Sequence, residues 1–273
     1  MKKLIALGLL LTAALAAAPL RLATTTSVND SGLLEAILPG FTRETGVPVQ
    51  VIAVGTGQAL AIAGRGDADA VLVHAPDLEA RFLREGKGVA HACIAYNNFV
   101  IAGPAADPAA VGAAADALDA MRRIFAAGAT FVSRGDNSGT YHREQALWRA
   151  AGLDPAGRPW YLESGSGMGA TLTLAAEKRA YTLTDLGTFL FMQGKVDLAA
   201  LFDRPDPRML NQYGYMAVNP ERFPGANREA AYALRAYLLR PDVQQQIGAY
   251  LKDRFGRSLF SPLYGRCKVE VSP

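Results

Sequence analysis

The chain has 273 residues, with 28 Lys and Arg against 25 Asp and Glu, a formal net charge of +3. Removal of Lys2 and Lys3 with the N-terminal leader read below leaves +1, and a near-neutral chain without basic runs argues against nucleic acid or an anionic membrane surface as the main partner. The remaining length exceeds what one hydrophobic core usually holds, so two lobes are expected.

Residues 1–16 read as an export signal. Lys2 and Lys3 precede an apolar run, Leu4 to Leu15, too short to span a membrane, and Ala14-Leu15-Ala16 fits an A-x-A cleavage site. Cleavage after Ala16 is favoured over Ala18, because Pro19 would then occupy the scissile bond without an N–H. No cysteine follows the run, so the mature protein is expected to be exported without a lipid anchor. Cys93 and Cys267 are the two cysteines. They could pair in an oxidising compartment or stay free, since spacing does not say whether their Cα atoms approach. With His74, His91 and His142 they show no metal-ligand spacing, and no metal site is expected.

The mature chain alternates strand and helix patterns. Arg21 to Thr25 reads as a strand running into Thr26-Ser27-Val28-Asn29-Asp30-Ser31-Gly32. Leu33, Leu34, Ile37, Leu38 and Phe41 then mark one face of a helix. Pro48 to Val54 is a β-branched strand ending in Gly55-Thr56-Gly57, before a helix-prone run from Gln58. Asp69 to His74 is a buried strand, Leu78 to Glu85 a helix and Phe99 to Ala102 a strand stopped by Gly103-Pro104. Near-continuous apolar strands alternating with helices predict a parallel α/β sheet. Asp116 to Ala127 is a helix leading into Ala129 to Val132.

That short strand opens into Ser133-Arg134-Gly135-Asp136-Asn137-Ser138-Gly139-Thr140, followed by a helical pattern from Tyr141 to Ala151. A strand feeding a turn of small donors and then a helix gathers free N–H groups and hydroxyls at the positive end of the helix dipole. Taken singly, Ser138 or Asp136 could just as well be an ordinary cap. The design recurs: Trp160 to Glu163 leads into Ser164-Gly165-Ser166-Gly167-Met168-Gly169 and a helix from Ala170, which makes four such turns. Tyr181 to Asp185 is strand then cap, Val196 to Phe202 a strand, Tyr213 to Asn219 a strand cut by Pro220. The remainder is helical over Glu229 to Leu239 and Val243 to Phe255.

Composition shifts near Ala102 and Tyr215 read as two crossings between lobes. The expected partition is residues 17–101 with 216–273 as a discontinuous first lobe and 102–215 as the second, with a hinge and cleft between. Four helix starts at roughly +0.5 charge each would offset about two negative charges, which suits a small dianion. Arg134, the one cation in the four turns, would add a fork of donors, or else pair with Asp136.

At these positions the chain resembles the tungstate-binding proteins of ABC transporters. The resemblance runs from about Arg21 to Pro262 through Thr24-Thr25-Thr26-Ser27, Asp30-Ser31-Gly32-Leu33-Leu34, Val54-Gly55-Thr56-Gly57, Val71-Leu72-Val73-His74-Ala75-Pro76, Tyr96-Asn97-Asn98-Phe99-Val100, the Ser133 to Thr140 loop, Gly167-Met168-Gly169-Ala170-Thr171 and Tyr181-Thr182-Leu183-Thr184-Asp185. It implies a type II periplasmic binding protein fold, two α/β lobes joined by two crossing strands, which closes on one oxyanion in the interlobe cleft and delivers it to a membrane permease. It also implies ligand contacts from the Thr-Thr-Ser turn, Thr56 and the Ser133 to Thr140 loop. The candidate oxyanion set, with the glycines of the turns, is Thr25, Thr26, Ser27, Thr56, Gly57, Ser133, Arg134, Ser138, Gly139, Thr140 and Gly169. No cofactor is expected beyond the tungstate ligand, and a periplasmic monomer is the expected state. The tail from Gly265 onward lies outside the resemblance.

Three rivals remain. A molybdate carrier differs only in cavity fit. A sulfate or phosphate carrier is the next, and a phosphate site would want a buried acceptor for the anion's proton, for which Asp136 is the candidate. An enzyme would use Ser133 or Ser138 with His142 as nucleophile and base, although no third, orienting group is evident.

Overall fold

The computed structural model describes residues 18–268, so the expected export signal at residues 1–16 lies outside the described residues. The first half runs β1 (Leu20–Thr25), α1 (Thr26–Asp30), α2 (Leu33–Thr45), β2 (Val49–Val54), α3 (Thr56–Ala63), β3 (Ala70–Val73), α4 (Pro76–Arg84), β4 (Gly88–Gly103), α5 (Ala117–Ala127) and β5 (Phe131–Ser133). The second half continues α6 (Gly139–Ala150), β6 (Tyr161–Glu163), α7 (Met168–Lys178), β7 (Thr182–Asp185), α8 (Leu186–Met192), β8 (Ala199–Phe202), β9 (Leu210–Val218), α9 (Arg228–Leu238), α10 (Pro241–Ala249), α11 (Lys252–Phe255) and β10 (Ser261–Gly265). Among the described residues no helix is long and apolar enough to cross a membrane.

The strands form two bodies that share β4. In the first, the order is β10-β4-β9-β3-β1-β2. β1 is parallel to β2 and β3, whereas β9 is antiparallel to β3 and β4. β4 stays on β9 from Gly88 opposite Val218 to Asn98 opposite Leu210. From Phe99, opposite Asp185, it pairs instead with β7 and β8. The second body adds β5 and β6, parallel to each other and joined to the residue just before β7 by a bridge between Phe131 and Tyr181.

The sheet is therefore mixed, which corrects the expectation of a parallel one. An apolar run shows that a strand is buried but not which way it points, and strands that leave one body and return from the other lie side by side in opposite directions. The crossing strand β4 also begins at Gly88, well before the apolar run at Phe99. It carries polar residues, with half-buried His91 hydrogen-bonded to Glu79 and buried Asn97 accepting from Asn211. The predicted helix from Val243 to Phe255 is broken where Leu251 takes a positive φ of 52°, and β10, which no sequence pattern announced, follows.

Two main cores hold these layers. Leu22, Ile37, Phe41, Leu72, Tyr215, Leu234 and Leu238 pack on the first body. Phe131, Met121, Ile124, Trp148, Tyr181 and Phe202 pack on the second. Each such side chain contributes about 1.5–3 kcal/mol of transfer free energy. Met168 and Leu172 of α7 and Phe189 of α8 join the first cluster, so apolar contact runs between the bodies. Cys93 of β4 and Cys267 form a disulfide with Cα atoms 5.0 Å apart, which decides the question their spacing left open. It also fastens the segment after β10 to a crossing strand.

Candidate functional site

The four donor-rich turns each become a helix start. Thr25 caps α1 by accepting the Val28 N–H at 3.2 Å, and Ser138 caps α6 by accepting that of Tyr141 at 3.1 Å. Gly55 and Gly167 precede α3 and α7 in extended conformations with no side-chain cap, leaving their first N–H groups without intrahelical partners. α1 is only five residues long, so its turn offers hydroxyls more than a dipole.

These starts meet. The Gly139 N–H donates to Thr56 Oγ1 at 2.8 Å, joining α6 to α3. A Cβ on Gly57 would overlap the Asn137 amide, and one on Gly139 would lie 2.9 Å from the His74 ring. Arg134 donates to Thr26 Oγ1 at 3.4 Å, and Gly167 sits 3.9 Å from the same oxygen, measured from where its Cβ would be. Gly169 follows one turn position inside α7. The loop holds this approach through two left-handed residues, Gly135 at φ 60° and Asn137 at φ 57°. A left-handed non-glycine residue is uncommon outside turns and functional loops.

Arg134 is 2% exposed. Its guanidinium pairs with Asp136 Oδ2 and donates to the Ser166 carbonyl at 3.2 Å. The other Asp136 oxygen accepts the Ser138 N–H at 3.2 Å. Both readings of Arg134 thus hold together: it pairs with Asp136, and it is buried among the four turns.

Hydrogen-bond bookkeeping separates the hydroxyls that are spent from those that are free. The Asn97 amide nitrogen is buried with no hydrogen-bond partner among the described residues. The Asn97 oxygen accepts the Asn211 amide at 2.8 Å. Asn211 Oδ1 consequently faces His74 Nδ1 at 2.9 Å and takes its proton. Burial lowers the His74 pKa to about 4, so the ring is neutral, Nε2 is bare, and the Ser27 hydroxyl at 2.9 Å must donate to it. The Thr25 hydroxyl, 3.1 Å from Ser27, then donates to Ser27. Ser133 gives its proton to Glu144 at 2.6 Å. The side chains of Thr25, Ser27 and Ser133 are thereby committed to protein acceptors. Those of Thr26, Thr56, Ser138 and Thr140 have no protein acceptor among the described residues. Thr140 Oγ1 is buried with no partner of any kind.

Sequence reasoning placed no role on His74, Asn97, Asn211 or Glu144. His74 stood inside a quoted motif, but only the fold brings Asn97 and Asn211 to it. Ser27, His74 and Asn211 stand in line as a nucleophile, base and orienting group would. A base whose pKa is about 4 draws little from a serine near neutrality, so the line works as a proton-directing relay. Neither Ser133 nor Ser138 hydrogen-bonds His142 among the described residues.

Two α/β bodies joined by the antiparallel strands β4 and β9, with a donor-rich cradle between them, define a solute-binding protein of the periplasmic type. The PBP superfamily domain matches residues 12–242. The tungstate-binding protein TupA of Peptoclostridium acidaminophilum is 42% identical over 243 residues, covering 88% of this chain and 84% of that one. The crystal structure of the tungstate ABC transporter from Geobacter sulfurreducens superposes with a TM-score of 0.79 at 48% identity, over 85% of this chain and 98% of that one. The TupA tungstate-binding protein from Desulfovibrio alaskensis G20 gives 0.76 at 40% identity, over 90% and 99%. The chain belongs to the PBP superfamily, in the family of the TupA tungstate-binding proteins.

Proposed function

We propose that this protein captures tungstate outside the cytoplasm and delivers it to the membrane permease of an ABC transporter, acting by binding and release without catalysis. The observation that carries the reading is the convergence of four helix starts on buried Arg134, with four hydroxyls still free to donate. A tetrahedral dianion accepts about eight hydrogen bonds, and each charge-assisted one contributes roughly 1.5–3 kcal/mol. The direct contacts are assigned to Arg134, the hydroxyls of Thr26, Thr56, Ser138 and Thr140, and the backbone at Gly57 and Gly169, while the Gly139 N–H is spent on Thr56 Oγ1 and positions that hydroxyl. Thr25, Ser27 and Ser133 shape the cradle from behind.

Each Asp136 oxygen already accepts one hydrogen bond, from Arg134 and from the Ser138 N–H, which leaves one acceptor site on each, so phosphate stays in the test below. Molybdate shares the charge and shape of tungstate and belongs in the same test. The lobe partition proposed is residues 17–101 with 216–273 against 102–215, a reading supported by the change of β4 partners between Asn98 and Phe99. Export by the residue 1–16 signal, the absence of a lipid anchor and a monomeric carrier complete the proposal.

A thermal-shift panel on ligand-stripped mature protein, with tungstate, molybdate, sulfate and phosphate at equal concentration, tests it. Ligand at a thousand times its dissociation constant adds about 4 kcal/mol, which raises the midpoint of a chain this size by several degrees. Tungstate is expected to give the largest shift. No shift with tungstate would overturn the proposal.

A further inference from the structure

A cavity of about 380 Å³ lies beside the cradle between α4 and α6, with His74 and Gly139 lining its cradle side. Its size falls within the range of small-molecule pockets. Arg143, Arg149 and Arg208 line it against one carboxylate, Asp77. Arg208 hydrogen-bonds Asp206, but among the described residues Arg143 is held by one 3.3 Å bond to the Leu210 carbonyl and lies over the Phe99 ring at 5.8 Å. His142, the residue before it, also lines the cavity, and its Nε2 is buried without a hydrogen-bond partner among the described residues. A half-buried guanidinium with unused donors next to an unpartnered imidazole nitrogen is costly unless an anion completes it. Leu78, Ala146, Pro207 and Leu210 give the lining an apolar part that would gain nothing from an inorganic ion.

We propose that this cavity is a second binding site, for a small organic carboxylate whose charged end sits on Arg143 and His142 and whose body meets the apolar wall. Its two sides come from α4 and α6, which flank the cleft on opposite bodies, so the occupant touches both. The inference does not depend on which oxyanion fills the cradle.

The test is calorimetric titration of the mature protein with benzoate and with succinate, with inorganic phosphate as the control, first alone and then with the protein saturated in tungstate. One carboxylate is expected to bind at one per chain under both conditions, at least tenfold weaker in Arg143→Gln and in Ala146→Phe. Ala146→Phe fills the cavity while leaving Arg143 in place, so it keeps the test open if Arg143→Gln fails to fold. A long-range ¹H–¹⁵N spectrum is expected to show the His142 Nε2 resonance moving on carboxylate addition. No carboxylate binding, binding unchanged in both variants, or phosphate binding equally well would each overturn the inference. Loss of carboxylate binding on tungstate saturation would also overturn it, by placing the carboxylate in the cradle. Failure of tungstate itself to bind would count against the proposed function alone.

Discussion

At the residue scale the cradle depends on which protons are already assigned. Arg134→Ala removes a buried guanidinium whose charged hydrogen bonds contribute roughly 1.5–3 kcal/mol, so tungstate affinity measured by calorimetry is expected to fall about ten- to hundredfold. Unchanged affinity would remove Arg134 from the site. Glu144 makes a different prediction. Burial pushes its pKa from 4.5 up to about 7, against the opposing hydrogen bonds from Ser133, Tyr161 and Trp148. A raised carboxyl binds its proton more tightly in the folded than in the unfolded chain. Its contribution is present below pH 4.5 and is lost as pH rises through about 7, on the order of 3 kcal/mol in all. His74, lowered from 6.5 to about 4 by burial, works the other way, adding stability as pH rises from 4 to 6.5. Above that window the Glu144 loss stands uncompensated by His74. Glu144→Gln is therefore expected to gain on the wild type in chemical denaturation between pH 5 and pH 8, and a constant difference would show that Glu144 does not titrate there.

At the element scale the strand-to-helix turn is the working unit, and here the chain was most legible. Hydroxyl and glycine residues at the ends of apolar runs marked three helix starts to within two residues, because capping is local chemistry between residues a few positions apart. The first, read as a turn leading to a helix at Leu33, is itself the short helix α1 from Thr26. The meeting of these starts is not local. Gly139 begins α6 with room for a hydrogen atom and little more, since a Cβ would come within 2.9 Å of the His74 ring and 3.0 Å of its carbonyl. Gly139→Ala is expected to push α6 from the β3–α4 turn and weaken tungstate binding by tenfold or more, while unfolding stability drops by about 1–3 kcal/mol. Wild-type affinity in this variant would mean that the Thr56 to Gly139 contact is incidental. The first half of β4 and all of β10 escaped the sequence reading for the same physical reason. Their polar groups are satisfied by partners outside the strand, as His91 is by Glu79 and as the Leu263 and Tyr264 N–H groups are by Gln244 of α10, and no periodic pattern records such pairings.

At the scale of the whole molecule, a disulfide ties a crossing strand and two hydrogen bonds join the bodies across the cradle. The disulfide spans 174 residues, and a loop of that size gives a typical stabilisation of about 2–4 kcal/mol. Cys93→Ser is expected to lower the thermal midpoint while leaving tungstate affinity within a few-fold, because neither cysteine touches the cradle. A large loss of affinity at unchanged midpoint would instead tie the disulfide to the hinge. The Arg134 to Thr26 and Gly139 to Thr56 contacts join the two bodies, so ligand should favour the arrangement that makes them. Small-angle scattering is expected to show a smaller radius of gyration with tungstate than without. Superimposable profiles would count against closure.

The sequence by itself determined the alternation of strands and helices, the four donor-rich turns, the lone cation among them and the near-neutral charge, all of which depend on residue type and short spacing. Tertiary structure alone decided the strand directions, the pairing of Cys93 with Cys267 and the split between free and committed hydroxyls. Whether Ser27 or Thr56 can give a proton to an anion depends on what else lies within about 3 Å. For Ser27 that is His74, 47 residues away, turned in its place by Asn211, a further 137 residues along.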